Sequence, residues 1–586
     1  MAATSQGDVD MVIRNTLLFA AAAVAGSSLL SSCAPVNRPV AQVPASTAWQ
    51  AFVANYIEAT FRAQPPFAVT SGRHEFDGGL PDWTPAGLAN EKQRLKSAIA
   101  LASAFDPASL SNEERFERDY LIAQARGSLF WIDAADQPHT NPAYYAGSLD
   151  PSVYVTVPYA PPAVRLGSYI TYLRAIPKAT QHIRANIKTP MPISFVDYAK
   201  SAFNGYAEYF PSDGMRAFAG VGSKADQAAL KKASLAAAAA MKSLASWAEA
   251  QRPRAKGNFA LGAGRFQQML YDTEMVSTPL AELEAIGRAD LKSNRDLLRE
   301  ACGRWAPGKS LLACMDKMNA NKPNGGPVAG ARAQLAGLKQ FILAHDIVTI
   351  PGPEEAKVEE APPYNRQNFA YINIPGPYEK GLPSVYYIAP PDRSWPKSVQ
   401  DAFVPGEADL LFTSVHEVWP GHFLNFLHAN RSTFTFGKVF VGYAYAEGWA
   451  HYTEEMMRVA GVGGGTDETM IGQLSNALLR DCRFISAIGM HSGTMTQDQS
   501  RRMFRDQCLQ DEGNARQQAA RGTYDPAYLN YTMGKLMIRR LRDDWTATHG
   551  GRAGWKAFHD QFLSYGGPPI PLVRQQMMGG EAKAVF

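Results

Sequence analysis

His416 and Glu417 stand side by side, and a second histidine, His422, follows six positions after the first. Imidazoles are metal ligands, and a carboxylate beside them can take a proton from water held by the metal. The residue types therefore suit metal-assisted hydrolysis. The usual arrangement is His-Glu-x-x-His, in which one helical turn separates two zinc ligands and the glutamate serves as base. This chain departs from it, because Pro420 takes the place of the second His and Gly421 follows. On a straight helix His422 would point about 240° away from His416, and the two could not share an ion. Pro420 offers a way out: it has no N–H for the carbonyl of residue 416, and its ring clashes there. The Pro-Gly pair is expected to break or bulge the helix, and a two-residue bulge would return His422 to the position of the usual second ligand.

A third ligand is required, and Glu447 lies 25 residues beyond His422, within Ala446-Glu447-Gly448-Trp449-Ala450-His451-Tyr452. The expected centre is one zinc per chain held by His416, His422 and Glu447. Its fourth position is left to water, with Glu417 as general base. His451 shares a helical face with Glu447 and is the alternative ligand if His422 points away. Glu454 lies near the same face and could orient a ligand imidazole, its bland alternative being a solvated charge beside Glu455. His428 has no comparable support.

His416-Glu417-x-x-Pro420-Gly421-His422 followed by Glu447-Gly448-Trp449-Ala450 resembles the bacterial family catalogued as domain of unknown function 885. The resemblance continues at Arg483-Phe484 to Met490-His491 and from Asp525-Pro526 through Tyr528-Leu529-Asn530-Tyr531 to Gly534-Lys535-Leu536. It is specific in roughly the last 180 residues and weak before about residue 270. Members of that family look like zinc peptidases related in design to thimet-oligopeptidase-like and angiotensin-converting-enzyme-like folds. The resemblance implies a mainly α fold around a deep channel with zinc on its floor. Many relatives carry Asp four residues after the equivalent of Arg483; here that position is Ala487. Tyr531 is the candidate donor to the oxyanion, helped by His491, each with a structural alternative as a core aromatic and a satisfied buried histidine. Arg483 and Lys535 could hold a substrate carboxylate if they face the cleft. The expected activity is hydrolysis of short peptides. Another zinc hydrolase acting on esters or non-peptide amides, and a non-catalytic lipid-anchored binding protein, are the alternatives.

The elements that must position these residues read as mostly helix. Trp49, Phe52, Val53, Tyr56, Ile57 and Phe61 recur at helical spacing, as do Leu230, Ala237, Met241 and Leu244 within 225–252. Thr278-Pro279 predicts an N-cap and Pro at N1, starting a helix that runs to about Arg299. Segments 141–162 and 322–330 are rich in Pro and Gly and read as loops. Asp346 to Ile350, Asn368 to Ile374 and Ser384 to Ile388 read as short strands, the last two a possible hairpin; an edge strand there could pair with an extended peptide. Helix returns from about Glu407.

The first part of the chain reads as an address. Arg14, the apolar run Thr16 to Leu30 and Leu30-Ser31-Ser32-Cys33 predict a signal peptide over 1–33 whose lipobox-like end makes Cys33 the lipidated residue; Met11 is an alternative start. A Pro-rich tether over 34–46 would follow, then a helical, channel-forming region over 47–345 and a catalytic region over 346–586. Ala34 after Cys33 suits an outer-membrane anchor with the body facing the periplasm. The expected membrane contact is the lipid alone. Net charge is only +4 over 586 residues with no Lys/Arg stripe, which argues against nucleic acid. In an oxidising compartment the four remaining cysteines would pair, with Cys302–Cys314 and Cys482–Cys508 preferred among three possible arrangements.

Overall fold

A computed structural model describes residues 45–361, 369–391, 396–579 and 585–586. The signal peptide, Cys33 and the tether lie outside these residues. Ala45–Phe586 forms one compact unit. It is mainly α, with one small sheet. No described helix is long and apolar enough to cross a membrane.

The helix starts follow local chemistry. Ser111 and Glu114 form a reciprocal capping box ahead of Asn112–Ile132, and Ser223 with Asp226 does the same for Lys224–Glu249. The predicted apolar stripes are core: Trp49, Val53, Tyr56, Ile57 and Phe61 are buried, as are Leu230, Ala237, Met241 and Leu244. Some sequence expectations need correction. The helix near Thr278 begins at Leu280, with Pro279 in the cap position and no side-chain cap from Thr278. Segment 141–162 contains short helices, Ala143–Ala146 and Ser152–Thr156 among them.

The helices that build the site are labelled α1 (Leu280–Trp305), α2 (Glu407–Glu417), α3 (His422–Ala429), α4 (Tyr443–Ala460), α5 (Asp467–Ser492), α6 (Glu512–Tyr524) and α7 (Asn530–Thr546). α5 packs on α1 and α2, and α4 on α7. The largest apolar cluster runs through all of these, from Phe266 and Leu298 to Leu478 and Val573, so helices from both sides of residue 345 share one core. The two preferred disulfides are present: Cys302–Cys314 braces the end of α1, and Cys482–Cys508 ties α5 to the chain before α6.

The sheet has three strands, β1 (Ala356–Glu360), β2 (Ala370–Asn373) and β3 (Ser384–Ile388), in the order β1-β3-β2. β3 is parallel to β1 and antiparallel to β2, with Ile372 opposite Tyr386. The strand expected at 346–350 is absent. Asp346 takes a left-handed φ of 48° as the preceding helix ends, and Ile347 and Val348 bury into the core as an irregular segment. β2 forms an edge of the described sheet and packs against α2.

Candidate metal centre

The Pro-Gly pair breaks the helix outright. α2 stops at Glu417, α3 starts at His422, and Val418 to Gly421 link them in non-helical conformation across a cis Trp419–Pro420 bond. The expected bulge within a continuous helix is thus a turn between two helices. The turn brings the His422 ring to 4.8 Å from the His416 ring. Gly421 folds back so closely that a Cβ there would lie 1.8 Å from the His416 carbonyl oxygen, so only glycine fits. The Gly421 N–H donates to the Val415 carbonyl at 2.9 Å. The Trp449 indole N–H, reaching from α4, donates to the Pro420 carbonyl at 2.8 Å and fixes the turn from outside.

α4 supplies Glu447. It is brought to the site by a close helix crossing in which a Cβ on Gly448 would lie 2.5 Å from the Gly534 Cα of α7. Glu447 Oε2 is 3.4 Å from His416 Nε2 and 3.4 Å from His422 Nε2. Ligand atoms of the three residues all lie within 4.8 Å of one another, and this is the group among the described residues suited to holding a metal. The buried Oε2 has no hydrogen bond, so three inward-facing donor atoms converge without satisfying one another. Tetrahedral zinc with ligands at about 2.0–2.1 Å has edges of about 3.3 Å, which fits the spacing of the carboxylate from each imidazole.

The support around the triad is ordered. His416 Nδ1 donates to Glu454 Oε1 at 2.7 Å, which leaves Nε2 as the atom facing Glu447. Glu454 is fully buried and also meets Arg480 Nη2 at 3.4 Å. Burial works against charge on His416, but Glu447 and Glu454 outweigh it and hold the imidazole up to about 9. Burial likewise opposes ionisation of Glu447, yet His422 and His416 hold its carboxyl well below the usual range. Glu417, at the end of α2, is half-buried and makes no ion pair or side-chain hydrogen bond with the described residues. The buried Tyr386 of β3 lies close enough to feel its charge, which adds to burial in raising that hydroxyl's pKa.

The other expected site residues divide. The Tyr531 ring runs 17° from parallel to the His416 ring at 6.3 Å, and Arg483 lies 4.8 Å over Tyr531. Burial first, and then Glu447, raises the Tyr531 hydroxyl's pKa, so it keeps its proton as a donor. His451 is buried beside Glu454 and is not one of the three converging ligands. His428 is engaged by the Thr349 carbonyl.

Two assignments are corrected. His491 does not offer a free donor: Nε2 donates to the Gly522 carbonyl at 2.7 Å, Nδ1 accepts from the Leu261 N–H at 3.3 Å, and the ring stacks on Phe266. It is a satisfied core histidine, neutral because burial pulls its pKa to about 4. Lys535 is 1% exposed, with Nζ 2.5 Å from Asp290 and 3.7 Å from Glu455, so it braces helices and cannot receive a substrate carboxylate.

Sequence reasoning missed Arg521 and Tyr443. Arg521 Nη2 donates to the Tyr443 hydroxyl at 3.0 Å, and the Tyr443 ring meets Tyr531 edge-on at 5.9 Å. Arg521 also pairs with Asp525 one turn on, a spacing visible in the sequence though its direction toward Tyr531 is not. Tyr443 and Gly442 line a cavity of about 520 Å³ that extends to Arg94, Gln124, Trp131 and Tyr144.

The chain matches none of the curated proteins. Two solved structures share its fold. One, described as a candidate lipoprotein of unknown function from Shewanella oneidensis, is 24% identical with a TM-score of 0.75, over 90% of this chain and 99% of that one. The other, described as a candidate lipoprotein from Colwellia psychrerythraea, is 15% identical with a TM-score of 0.78, over 91% of this chain and 98% of that one. The profile of the bacterial proteins of unknown function called DUF885 matches residues 65–577, most of the chain. With its helical body and its broken His-Glu helix both within that span, the chain belongs to the DUF885 family.

Proposed function

We propose that the protein is a zinc-dependent peptidase acting on short peptides. The observation that carries this reading is the convergence of His416, His422 and Glu447, with the neighbouring Glu417 making no side-chain hydrogen bond or ion pair among the described residues. A ligand set kept only for structure would need no such base. When bound, zinc supplies Lewis acidity, polarising a carbonyl and acidifying water.

This chain's own residues would do the rest. Glu417 takes a proton from the attacking water and returns it to the leaving amine, which its lack of an ion pair among the described residues permits. Glu454 holds the His416 ring with Nε2 inward. Tyr531 donates its O–H to the oxyanion that develops on the carbonyl. β2, an edge strand of the described sheet packed on α2, is where an extended peptide could lie.

The body would stand in the cell envelope, anchored through lipid on Cys33 and facing the periplasm from the outer membrane. Two disulfides suit an oxidising compartment, and both structural neighbours are described as candidate lipoproteins.

Elemental analysis of the full chain tests the centre. One zinc per chain is expected, lost in His422→Ala and kept in Glu417→Gln. Hydrolysis of a short-peptide library should fall about 10²–10⁴-fold in Glu417→Gln. A chain that takes up no zinc on reconstitution would sink the reading.

A further inference from the structure

Arg483 is a buried cation with no anion beside it among the described residues. It is 8% exposed, and its one side-chain hydrogen bond among the described residues runs from Nε to Gln518 Oε1 at 2.8 Å. No described carboxylate lies within ion-pair distance of it. Its own helix offers none, since the residues one turn away are Leu479, Arg480, Ser486 and Ala487. The nearby Arg521 adds a second positive charge, and its carboxylate partner, Asp525, is taken. A guanidinium keeps its charge even when buried, and an unpaired buried charge is strongly disfavoured. The arrangement therefore favours an incoming anion, and the planar fork of two terminal nitrogens matches a carboxylate.

Position narrows the choice. Arg483 lies 4.8 Å from the Tyr531 ring, itself 6.3 Å from the His416 ring, so the guanidinium is at most about 11 Å from that imidazole. An extended peptide advances about 3.3–3.6 Å per residue, so a carboxylate held there would end a chain within two or three residues of the metal ligands.

We infer that Arg483, flanked by Arg521, is a carboxylate subsite that selects peptides by their free C-terminus, so that cleavage falls within the last two or three residues. The inference rests on the peptidase reading of the same centre. A terminal carboxylate is the anion every unmodified peptide carries, whereas an acidic side chain is the rival source of the same chemistry.

The test compares Ala-Phe-Ala, its C-terminal amide, and the amide of Ala-Phe-Glu. Binding to the zinc-loaded full chain carrying Glu417→Gln is measured by calorimetry, and turnover is measured on the parent. The free acid should bind about 10- to 100-fold more tightly than its amide, the range expected for a charged hydrogen-bonded pair. Arg483→Gln should bring the two within about threefold, and Arg483→Lys, which keeps the charge without the fork, should fall between. The acid–amide comparison on the parent needs no change at Arg483, so misfolding of a variant cannot decide it. Equal binding of acid and amide overturns the inference, and so does binding of the Glu-containing amide as tight as the free acid. Hydrolysis of acid and amide at equal rates leaves the peptidase reading standing and removes the subsite. Arg483-dependent preference for the acid without hydrolysis does the reverse.

Discussion

Glu454 and Glu455 are neighbours on α4, yet they feed two buried clusters of opposite character. Glu455 joins Asp290 of α1 with Lys535 and Arg539 of α7 in a network where each ionised carboxylate meets a cation. Asp481 of α5 sits at its edge, held by Asn294, its carboxyl pushed well up by burial and by Asp290. Glu454 joins His416 and Arg480, and beyond them His422 and Glu447, where a buried carboxylate oxygen stays without a hydrogen bond. Residue types and burial are similar in both. What differs is closure: the first cluster is neutralised from within and acts as a brace. In the second, His416, His422 and Glu447 turn metal-ligand atoms toward one point, and no described Lys or Arg reaches Glu447 there, an arrangement suited to an ion.

Substitutions on each side separate the two roles. Lys535→Met should have the largest effect on folding, because it leaves Asp290 and Glu455 buried without their main cation. A loss of about 3–5 kcal/mol is expected in urea unfolding, with zinc stoichiometry unchanged in the folded fraction. Equal losses of zinc and of stability would merge the clusters into one unit. Glu454→Gln should act the other way, weakening zinc binding about 10- to 100-fold in a chelator competition with little change in unfolding midpoint.

The smallest effect sharpens the contrast by looking outside both clusters. His559 is held neutral between the Tyr452 hydroxyl, which donates to Nε2, and the Ile347 carbonyl, which accepts from Nδ1. Burial pulls its pKa from 6.5 to about 3. As pH falls below 6.5 the unfolded chain takes up this proton first. The stability it lends is therefore full above pH 6.5 and declines towards pH 3, by about 1.4 kcal/mol per unit. His559→Gln should flatten that share of the slope between pH 6.5 and 5 in thermal unfolding. An unchanged slope would mean that the acid sensitivity arises in the two clusters.

The comparison also shows what was legible beforehand. The break at Pro420-Gly421 could be read because a missing N–H and a missing Cβ are properties of single residues. So could the helical body, whose apolar stripes repeat along the chain. Lys535 could not: its partner Asp290 lies 245 residues away, and nothing local marks a lysine as already paired. His491 was misassigned for the same reason, since the carbonyl and amide that satisfy it belong to Gly522 and Leu261. The strand at 346–350 failed because its apolar residues bury as irregular chain, while β1, rich in charge, pairs instead as Ala356–Glu360.

Three consecutive residues of α4 have separate duties toward one turn. Glu447 presents the candidate ligand carboxylate, Gly448 lets α7 come close, and Trp449 holds the Pro420 carbonyl. The ligand and the two devices that aim it share a single stretch of backbone, so a change in the helix's rotation moves all three together. A descendant that loses the tryptophan or the glycine is expected to lose the use of its glutamate as well. On the proposed reading, a homologue that keeps this tripeptide alongside the Pro-Gly-His that it grips is expected to hold a metal, and one that loses it is expected not to.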